Sequence, residues 1–215
     1  MRRRRRVESA ATYKLCSLLL LYPDEELLGA REELLAAARE LPRSRAAAAL
    51  ARFGEWWLAE DELALQQHYV ETFDLHKRSG LYVTFYGEGD RRERGSALLR
   101  LKRMYRAAGL PLEGGSELPD YLPVMLEFAA AMPGGEGEIV LREHRAAIEL
   151  LRENLRARGT PYADVLDAVC LTLGDPSAAD RARMLKIAAA GPPQELVGLE
   201  PFMPPEITAG TEARR

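Results

Sequence analysis

Histidines and cysteines are the residues of this sequence most able to do chemistry, and their spacing argues against it. His68, His76 and His144 each lack a cysteine or second histidine at metal-ligand spacing. His144 falls in an apolar helical stripe, which favours a core histidine over a catalytic base. Cys16 and Cys170 lie far apart in apolar helical stretches, as buried free thiols do. We therefore predict no enzyme activity, no metal and no other cofactor.

The segment Met1–Arg6 contains five consecutive arginines, although the whole chain has a net charge of −3. It does not continue as a secretory leader, because Glu8 and Lys14 interrupt it and an acidic run follows Pro23 where a cleavage site would be needed. We expect residues 1–8 to form a solvated basic tail, with attraction to acidic lipid as the alternative. No run reaches the roughly 20 apolar residues of a membrane span. The prediction is a cytoplasmic protein without stable membrane insertion.

Helical patterns recur along the chain, whereas strand patterns are nearly absent. The predicted helical segments are 9–22, 24–41, 44–60, 61–74, 90–108, 121–132, 138–158, 160–173 and 177–190. Their predicted N-caps are Asp24, Ser44, Asp61, Asp90, Asp120, Thr160 and Ser177. We predict an all-α, single-domain bundle of about nine to ten helices over residues 9–190. Residues 191–215, rich in proline and glycine, are predicted to be an extended or disordered tail.

The predicted helix 90–108 is strongly basic, with seven basic residues against Glu93 and the capping Asp90. Arg94 falls within its apolar arc, so we expect this side chain to point inward or into a groove. The other arginines form an opposite, solvated face. A nucleic-acid or membrane adaptor is therefore an alternative function, although this helix lacks the interleaved aromatic residues of a base-stacking platform.

Two stretches combine aromatic and charged residues: 69–95, which includes a loop without helical pattern, and 117–129. They contribute to a series of short strings, which are Leu21-Tyr22-Pro23-Asp24, Thr72-Phe73-Asp74, Arg94-Gly95-x-Ala97-Leu98-Leu99, Glu117-Leu118-Pro119-Asp120, Pro161-Tyr162-Ala163 and Val197-Gly198-Leu199-Glu200-Pro201-Phe202. In order and spacing, the strings closely resemble the nitrate reductase molybdenum cofactor assembly chaperones. These are the delta subunits, or NarJ family, of the TorD/DmsD-like redox-enzyme maturation proteins. The resemblance covers residues 11–202.

The resemblance implies a TorD-like helical chaperone that is not itself an enzyme. Such proteins bind the N-terminal segment of the catalytic (alpha) subunit of a molybdoenzyme until its molybdenum cofactor is in place. The implied partner is the alpha subunit of respiratory nitrate reductase, with molybdenum cofactor delivery proteins as further partners and no nucleic acid. A chaperone for a dimethyl sulfoxide or perchlorate reductase is the closest alternative.

Carried onto this chain, the resemblance implies a groove for an amphipathic client helix. The residues predicted to line it are Tyr69, Phe73, Tyr82, Phe85 and Tyr86 for apolar contacts, and Arg94, Asp120, Tyr121 and Glu127 for polar contacts. Arg94 is a candidate partner of Asp120, either within the fold or facing the client. Tyr121 departs from the pattern, because many relatives carry histidine there. A role that requires an imidazole at this position is therefore in doubt.

Overall fold

A computed structural model describes residues 2–76, 78–87, 91–112, 117–132 and 135–190. Within these residues every regular element is helical, which confirms the predicted all-α class. Their single β contact is an isolated antiparallel bridge between Tyr82 and Tyr121. The predicted cap Asp90 and the predicted tail 191–215 lie outside the described residues.

Twelve α-helices and one π-helical segment account for the regular structure of these residues. They are α1 (Arg2–Leu19), α2 (Glu25–Gly29), α3 (Arg31–Glu40), α4 (Arg45–Ala59), α5 (Glu62–Tyr69), the π segment (Val70–Asp74), α6 (Thr84–Gly87), α7 (Arg91–Ala107), α8 (Leu122–Ala131), α9 (Glu136–Glu143), α10 (Arg145–Ala157), α11 (Tyr162–Leu173) and α12 (Ala178–Ala190). The number exceeds the prediction because two predicted helices are broken and because α6 lies in the predicted loop.

Side-chain caps fix most of the predicted helix starts. Asp24, Ser44 and Asp61 each accept a hydrogen bond from the backbone N–H three residues ahead. Ser177 and Asp180 form the predicted reciprocal capping box, with bonds of 3.1 Å to the Ser177 hydroxyl and 2.9 Å to the Asp180 carboxylate. These local signals can be read from sequence because cap and helix lie within one turn of each other.

Other helix boundaries differ from the prediction. Helix α1 begins at Arg2, so the predicted start at residue 9 is too late. Arginine is a good helix former, but the prediction relied on apolar periodicity. Thr160 does not cap α11, because its hydroxyl contacts the His68 ring at 2.7 Å and Pro161 takes the cap position. Each difference has a cause that the spacing of apolar residues does not reveal: a helix propensity in the first case and a tertiary contact in the second.

The predicted helices 24–41 and 138–158 are each interrupted by one residue with non-helical backbone angles. These residues are Ala30 (φ −90°, ψ 2°) and His144 (φ −100°, ψ 14°). At His144 the ring Nδ1 lies 2.9 Å from the Val140 carbonyl, and the buried residue is the predicted core histidine. The break redirects the chain, so that α9 packs on α8 while α10 packs on α11 and α12.

Helix α1 lies against both α8 and α11, and α4 packs on α11 and α3. The Ser17 hydroxyl donates to the Pro123 carbonyl at 2.9 Å, which ties α1 to α8. Cys16 and Cys170 are buried free thiols, as predicted, and burial raises the pKa of each well above its usual value. The site described next therefore rests on a densely packed core. Among the described residues, no helix is both long and apolar enough to cross a bilayer.

Candidate functional site

The end of α5 and the π-helical turn that follows it place the first two predicted site residues in the aromatic core. Within it, the Leu75 N–H donates to the Val70 carbonyl at 3.1 Å, one residue further back than in an α-helix. Tyr69 and Phe73 pack with ring centroids 4.8 Å apart, and Tyr162 of α11 lies 4.8 Å from Phe73. Tyr69 and Phe73 are only 5% and 6% exposed, so they support a surface more than they form one.

The aromatic loop is fastened to the start of α8 by two backbone hydrogen bonds. The Val83 N–H donates to the Asp120 carbonyl at 3.0 Å, and the Leu122 N–H donates to the Leu81 carbonyl at 2.8 Å. This short bridge sets Tyr82 against Tyr121, with ring centroids 5.2 Å apart. Two stretches that are distant in sequence therefore form one half-buried aromatic surface.

Tyrosine hydroxyls connect this surface to the core. The Tyr69 hydroxyl donates its one hydrogen to the Leu20 carbonyl at 3.1 Å, so the Tyr121 hydroxyl, 3.3 Å away, must donate to Tyr69. The Tyr82 hydroxyl donates to the Glu117 carboxylate at 2.9 Å. Burial, reinforced by Glu117, raises the pKa of Tyr82 to about 12, and burial also raises the pKa of Tyr121. Both phenols stay neutral hydrogen-bonding groups at physiological pH.

Asp120 is fully buried and joins the loop to α7. Its Oδ2 accepts a hydrogen bond from the Thr84 hydroxyl at 2.6 Å and lies 3.6 Å from Nη2 of Arg94. Its Oδ1 has no hydrogen-bond partner within the described part of the chain. The prediction that Asp120 caps α8 is wrong: Tyr121 holds the cap position without a side-chain bond, because the carboxylate faces Thr84 instead.

Arg94 points inward from α7 as its position in the apolar arc predicts. Its Nε donates to the Thr84 hydroxyl at 3.3 Å, and its guanidinium lies 5.9 Å from the centre of the Phe85 ring. Arg94 and Asp120 thus share a hydroxyl and form an ion pair beneath the loop. Phe85 is half-buried, whereas Tyr86 is buried and donates to the Gly80 carbonyl at 2.9 Å. Several hydrogen bonds on the buried side of the loop therefore fix its conformation.

Glu127 is the predicted residue that the structure sets apart from this cluster. It is exposed on α8, and its carboxylate pairs with Lys14 of α1. Three contributors escape the prediction: Thr84, Glu117 and Tyr22. Tyr22 is 43% exposed and meets Tyr69 edge-to-face at 5.5 Å. Its string Leu21-Tyr22-Pro23-Asp24 marks the family resemblance, but only the fold shows that it reaches the cluster.

A family model described as nitrate reductase delta subunit matches residues 35–168. The chain belongs to this family. A protein of Bacillus subtilis named "Probable nitrate reductase molybdenum cofactor assembly chaperone NarJ" is 37% identical over 163 residues, which cover 75% of this chain and 88% of that protein. The Escherichia coli nitrate reductase molybdenum cofactor assembly chaperone NarJ is 34% identical over 156 residues, or 71% of this chain and 65% of that protein.

A third relative is similar to this chain over part of a longer protein. The nitrate reductase-like protein NarX of Mycobacterium tuberculosis is 38% identical over 160 residues, which cover 74% of this chain but 24% of that protein. The family match includes every predicted site residue, whereas Tyr22 and Lys14 precede it. Among the described residues of this delta-subunit chain, no group of three histidine, cysteine, aspartate or glutamate side chains could hold a metal ion.

Proposed function

We propose that this protein is a nitrate reductase assembly chaperone, which binds the N-terminal segment of the apo catalytic (alpha) subunit and assists molybdenum cofactor insertion. The observation that carries the proposal is the family match, together with relatives named as molybdenum cofactor assembly chaperones. The protein acts by binding rather than by catalysis, and it does so in the cytoplasm, where the apo subunit is assembled. Molybdenum cofactor delivery proteins are further proposed partners.

The binding surface consists of the partly exposed rings of Tyr22, Tyr82, Phe85 and Tyr121. Such rings offer large apolar area with few rotatable bonds, so an amphipathic client helix can bury its anchors at low entropic cost. Arg94 lies at the edge of this surface with a side chain that is 31% exposed, and it can orient a polar client group.

The buried members of the predicted set hold this surface in place. Tyr69, which packs on Phe73, contacts Tyr121 and Tyr22 from the core, and Asp120 fixes the loop through Thr84. A surface that is already ordered loses less conformational entropy on binding, which favours affinity. Substitutions at these positions should therefore weaken client binding indirectly, together with a loss of stability.

Calorimetric titration with a peptide that copies the N-terminus of the catalytic nitrate reductase subunit from the same organism tests the proposal. We expect Tyr82→Ala to raise the Kd of the peptide roughly tenfold, as for an interface anchor. Leu185→Ala is the matched control, since Leu185 is the most exposed large apolar residue on α12. A folded protein that does not bind the peptide, or equal effects of both variants, would contradict this function and this surface.

Two other functions predict different binding results. A chaperone for a dimethyl sulfoxide or perchlorate reductase would bind the N-terminal peptide of that enzyme more tightly than the nitrate reductase peptide. A nucleic-acid or membrane adaptor would use the basic face of α7 and lose affinity steeply with salt. Arg100 on α7 pairs with Glu143 at 3.0 Å, which lowers the charge available on that helix. The chaperone function is the one that the family match supports.

A further inference from the structure

Helix α12 is apolar on two opposite sides. On the inner side Ile187 packs against the core, where α12 lies on α10. On the outer side Leu185 is 73% exposed, more than any other large apolar side chain of the described residues. At 100° per residue, Leu185 lies about 160° around the helix from Ile187. A surface helix usually has a polar outer side, so an apolar one indicates a contact that covers it.

The apolar outer side runs the length of α12. Ala178, Ala182, Leu185 and Ala189 follow one another at helical spacing, and all four are exposed. From residue 178 to residue 189 no side chain is fully buried, although eight of these twelve residues are apolar. A helix of this composition is usually covered on more than one side. We call the side centred on Leu185 the outer face of α12.

Basic side chains border the outer face. Arg181, Arg183 and Lys186 are exposed, and none of them forms an ion pair with a residue that the structure describes. The two arginines donate to backbone carbonyls instead. The carboxylate of α12, on Asp180, already accepts a hydrogen bond from the Ser177 hydroxyl at 2.6 Å. The outer face therefore fits a partner that is both apolar and acidic.

The chain itself supplies such a segment directly after α12. Gly191-Pro192-Pro193 cannot continue the helix, so the sequence predicts a turn there. Residues 194–203 contain five large apolar residues and two glutamates, and they contain no basic residue. They include residues 197–202, a string that marks the family resemblance and has no part in the aromatic binding surface. Residues 191–215 lie outside the described residues.

The length of this segment matches the outer face. Ala182 lies about 12 Å along the helix axis from its end at Ala190, at 1.5 Å per residue. An extended chain advances about 3.3 Å per residue, so a segment that turns back at residues 191–193 brings residues 198 and 199 level with Ala182. A short tether gives an effective concentration on the order of millimolar, so modest contacts suffice for binding.

A second copy of the chain fits the outer face less well. In a two-fold dimer each copy presents the same surface to the other. The three basic residues of one α12 would then approach the same three of its partner, and like charges repel. The glutamates of residues 194–203 reverse this interaction, which favours the segment of the same chain.

We propose that residues 194–203 bind the outer face of α12. Leu199 and Phe202 contact Leu185 and its alanine neighbours, while Glu195 and Glu200 lie near the basic side chains. Helix α12 contributes no residue to the aromatic binding surface, so the contact does not depend on the proposed chaperone function. It gives α12 a second packing partner besides α10.

Disulfide formation in the full chain tests the contact. Leu199→Cys is combined either with Ala182→Cys on the outer face or with Ala188→Cys, which is exposed about 120° away around the same helix. Cys16 and Cys170 do not compete, because both are buried and burial raises the pKa of each thiol. Non-reducing electrophoresis after mild oxidation separates internal disulfides from disulfide-linked dimers.

We expect the internal disulfide to form at least about tenfold faster with Ala182→Cys than with Ala188→Cys. Ala188 is the stringent control, because it is closer to Leu199 along the chain and an unbound segment would reach it at least as easily. Equal rates, or a faster reaction at position 188, would overturn the proposal. So would dimers that form in place of the internal disulfide, since a second copy would then cover the outer face.

Hydrogen exchange of the full chain tests the contact without added cysteines. The double variant Leu199→Ala/Phe202→Ala should speed amide exchange in residues 181–189 by roughly threefold to tenfold, because a helix that loses packing opens more often. The matched control is Ile207→Ala, which removes an apolar side chain beyond the proposed segment. Unchanged exchange in the double variant, or an equal change in the control, would contradict the proposal.

Discussion

Replacing Arg94 with methionine should destabilise the protein by about 2–3 kcal/mol, chiefly because it removes the ion pair with Asp120 and also the hydrogen bond to Thr84. Unit charges 3.6 Å apart interact by about 4–5 kcal/mol at an effective dielectric constant near 20. The Arg94 side chain is 31% exposed, so solvent screening reduces this by roughly half. Asp120 is fully buried, and among the described residues the Thr84 hydroxyl would remain as its partner.

The control for this prediction is Arg100→Met, on the same helix. Arg100 pairs with Glu143 at the shorter distance of 3.0 Å, but the two side chains are 55% and 37% exposed. We expect this substitution to cost less than about 1 kcal/mol, because exposed ion pairs contribute little. If burial rather than distance determines how much an ion pair stabilises the fold, the longer Arg94–Asp120 pair contributes more than the shorter Arg100–Glu143 pair.

Urea unfolding followed by far-ultraviolet circular dichroism measures both variants, with the slope expected to stay constant. The double variant Arg94→Met/Asp120→Asn should recover about 1 kcal/mol relative to Arg94→Met, since it removes the uncompensated charge and keeps an acceptor for Thr84. Equal costs for the Arg94 and Arg100 substitutions would refute this reasoning. So would a double variant that is less stable than Arg94→Met.

Three further predictions concern the fold. Gly137→Ala should cost about 1–3 kcal/mol in urea unfolding, because the new Cβ would lie 2.5 Å from the Ala129 backbone. The control is Gly95→Ala, which lies in open space and should stabilise α7 by about 0.5–1 kcal/mol. An unchanged stability of Gly137→Ala would contradict the close packing of α9 on α8. Burial lowers the pKa of His68 below its ordinary value, so the folded state resists protonation of this ring. The free energy of unfolding should therefore fall as pH drops through about 6.5, and His68→Gln should reduce that fall. The same dependence of stability on pH in His68→Gln and the unchanged protein would refute the role of His68. Ser44→Ala should cost about 1 kcal/mol by thermal unfolding, since it removes the cap of α4, and no shift in midpoint would count against that cap.

The sequence predicts the parts of this fold whose causes are local. Ser44 caps the helix that follows it, and Arg94 faces inward because it shares an arc with apolar neighbours. The break at Ala30 follows Gly29, a weak helix former, whereas the break at His144 has no adjacent proline or glycine, because the packing of α9 on α8 and of α10 on α11 accompanies it. The π turn is equally invisible, because its extra residue leaves the composition of a helix unchanged.

In the candidate site, too, local features are predictable from the sequence and tertiary contacts are not. Family resemblance indicates which residue strings matter, but Asp120 also reads as an ordinary helix cap, and only the fold shows that Thr84 binds its carboxylate. The bridge from Tyr82 to Tyr121 joins segments on either side of α7, so no short sequence window contains it. Glu127 shares the second stretch with Tyr121, yet its carboxylate pairs with Lys14 instead.

The aromatic core also contains a tryptophan whose fluorescence can report on the candidate site. The chain has two tryptophans, neighbours on α4, and Trp56 lies 5.0 Å from the His68 ring. From there, ring contacts run through Tyr162 and Phe73 to Tyr69, whose hydroxyl meets Tyr121. Indole emission responds to the charge and packing of adjacent rings. In a Trp57→Phe background, unlabelled fluorescence of Trp56 should therefore register events at a surface that the indole itself does not touch.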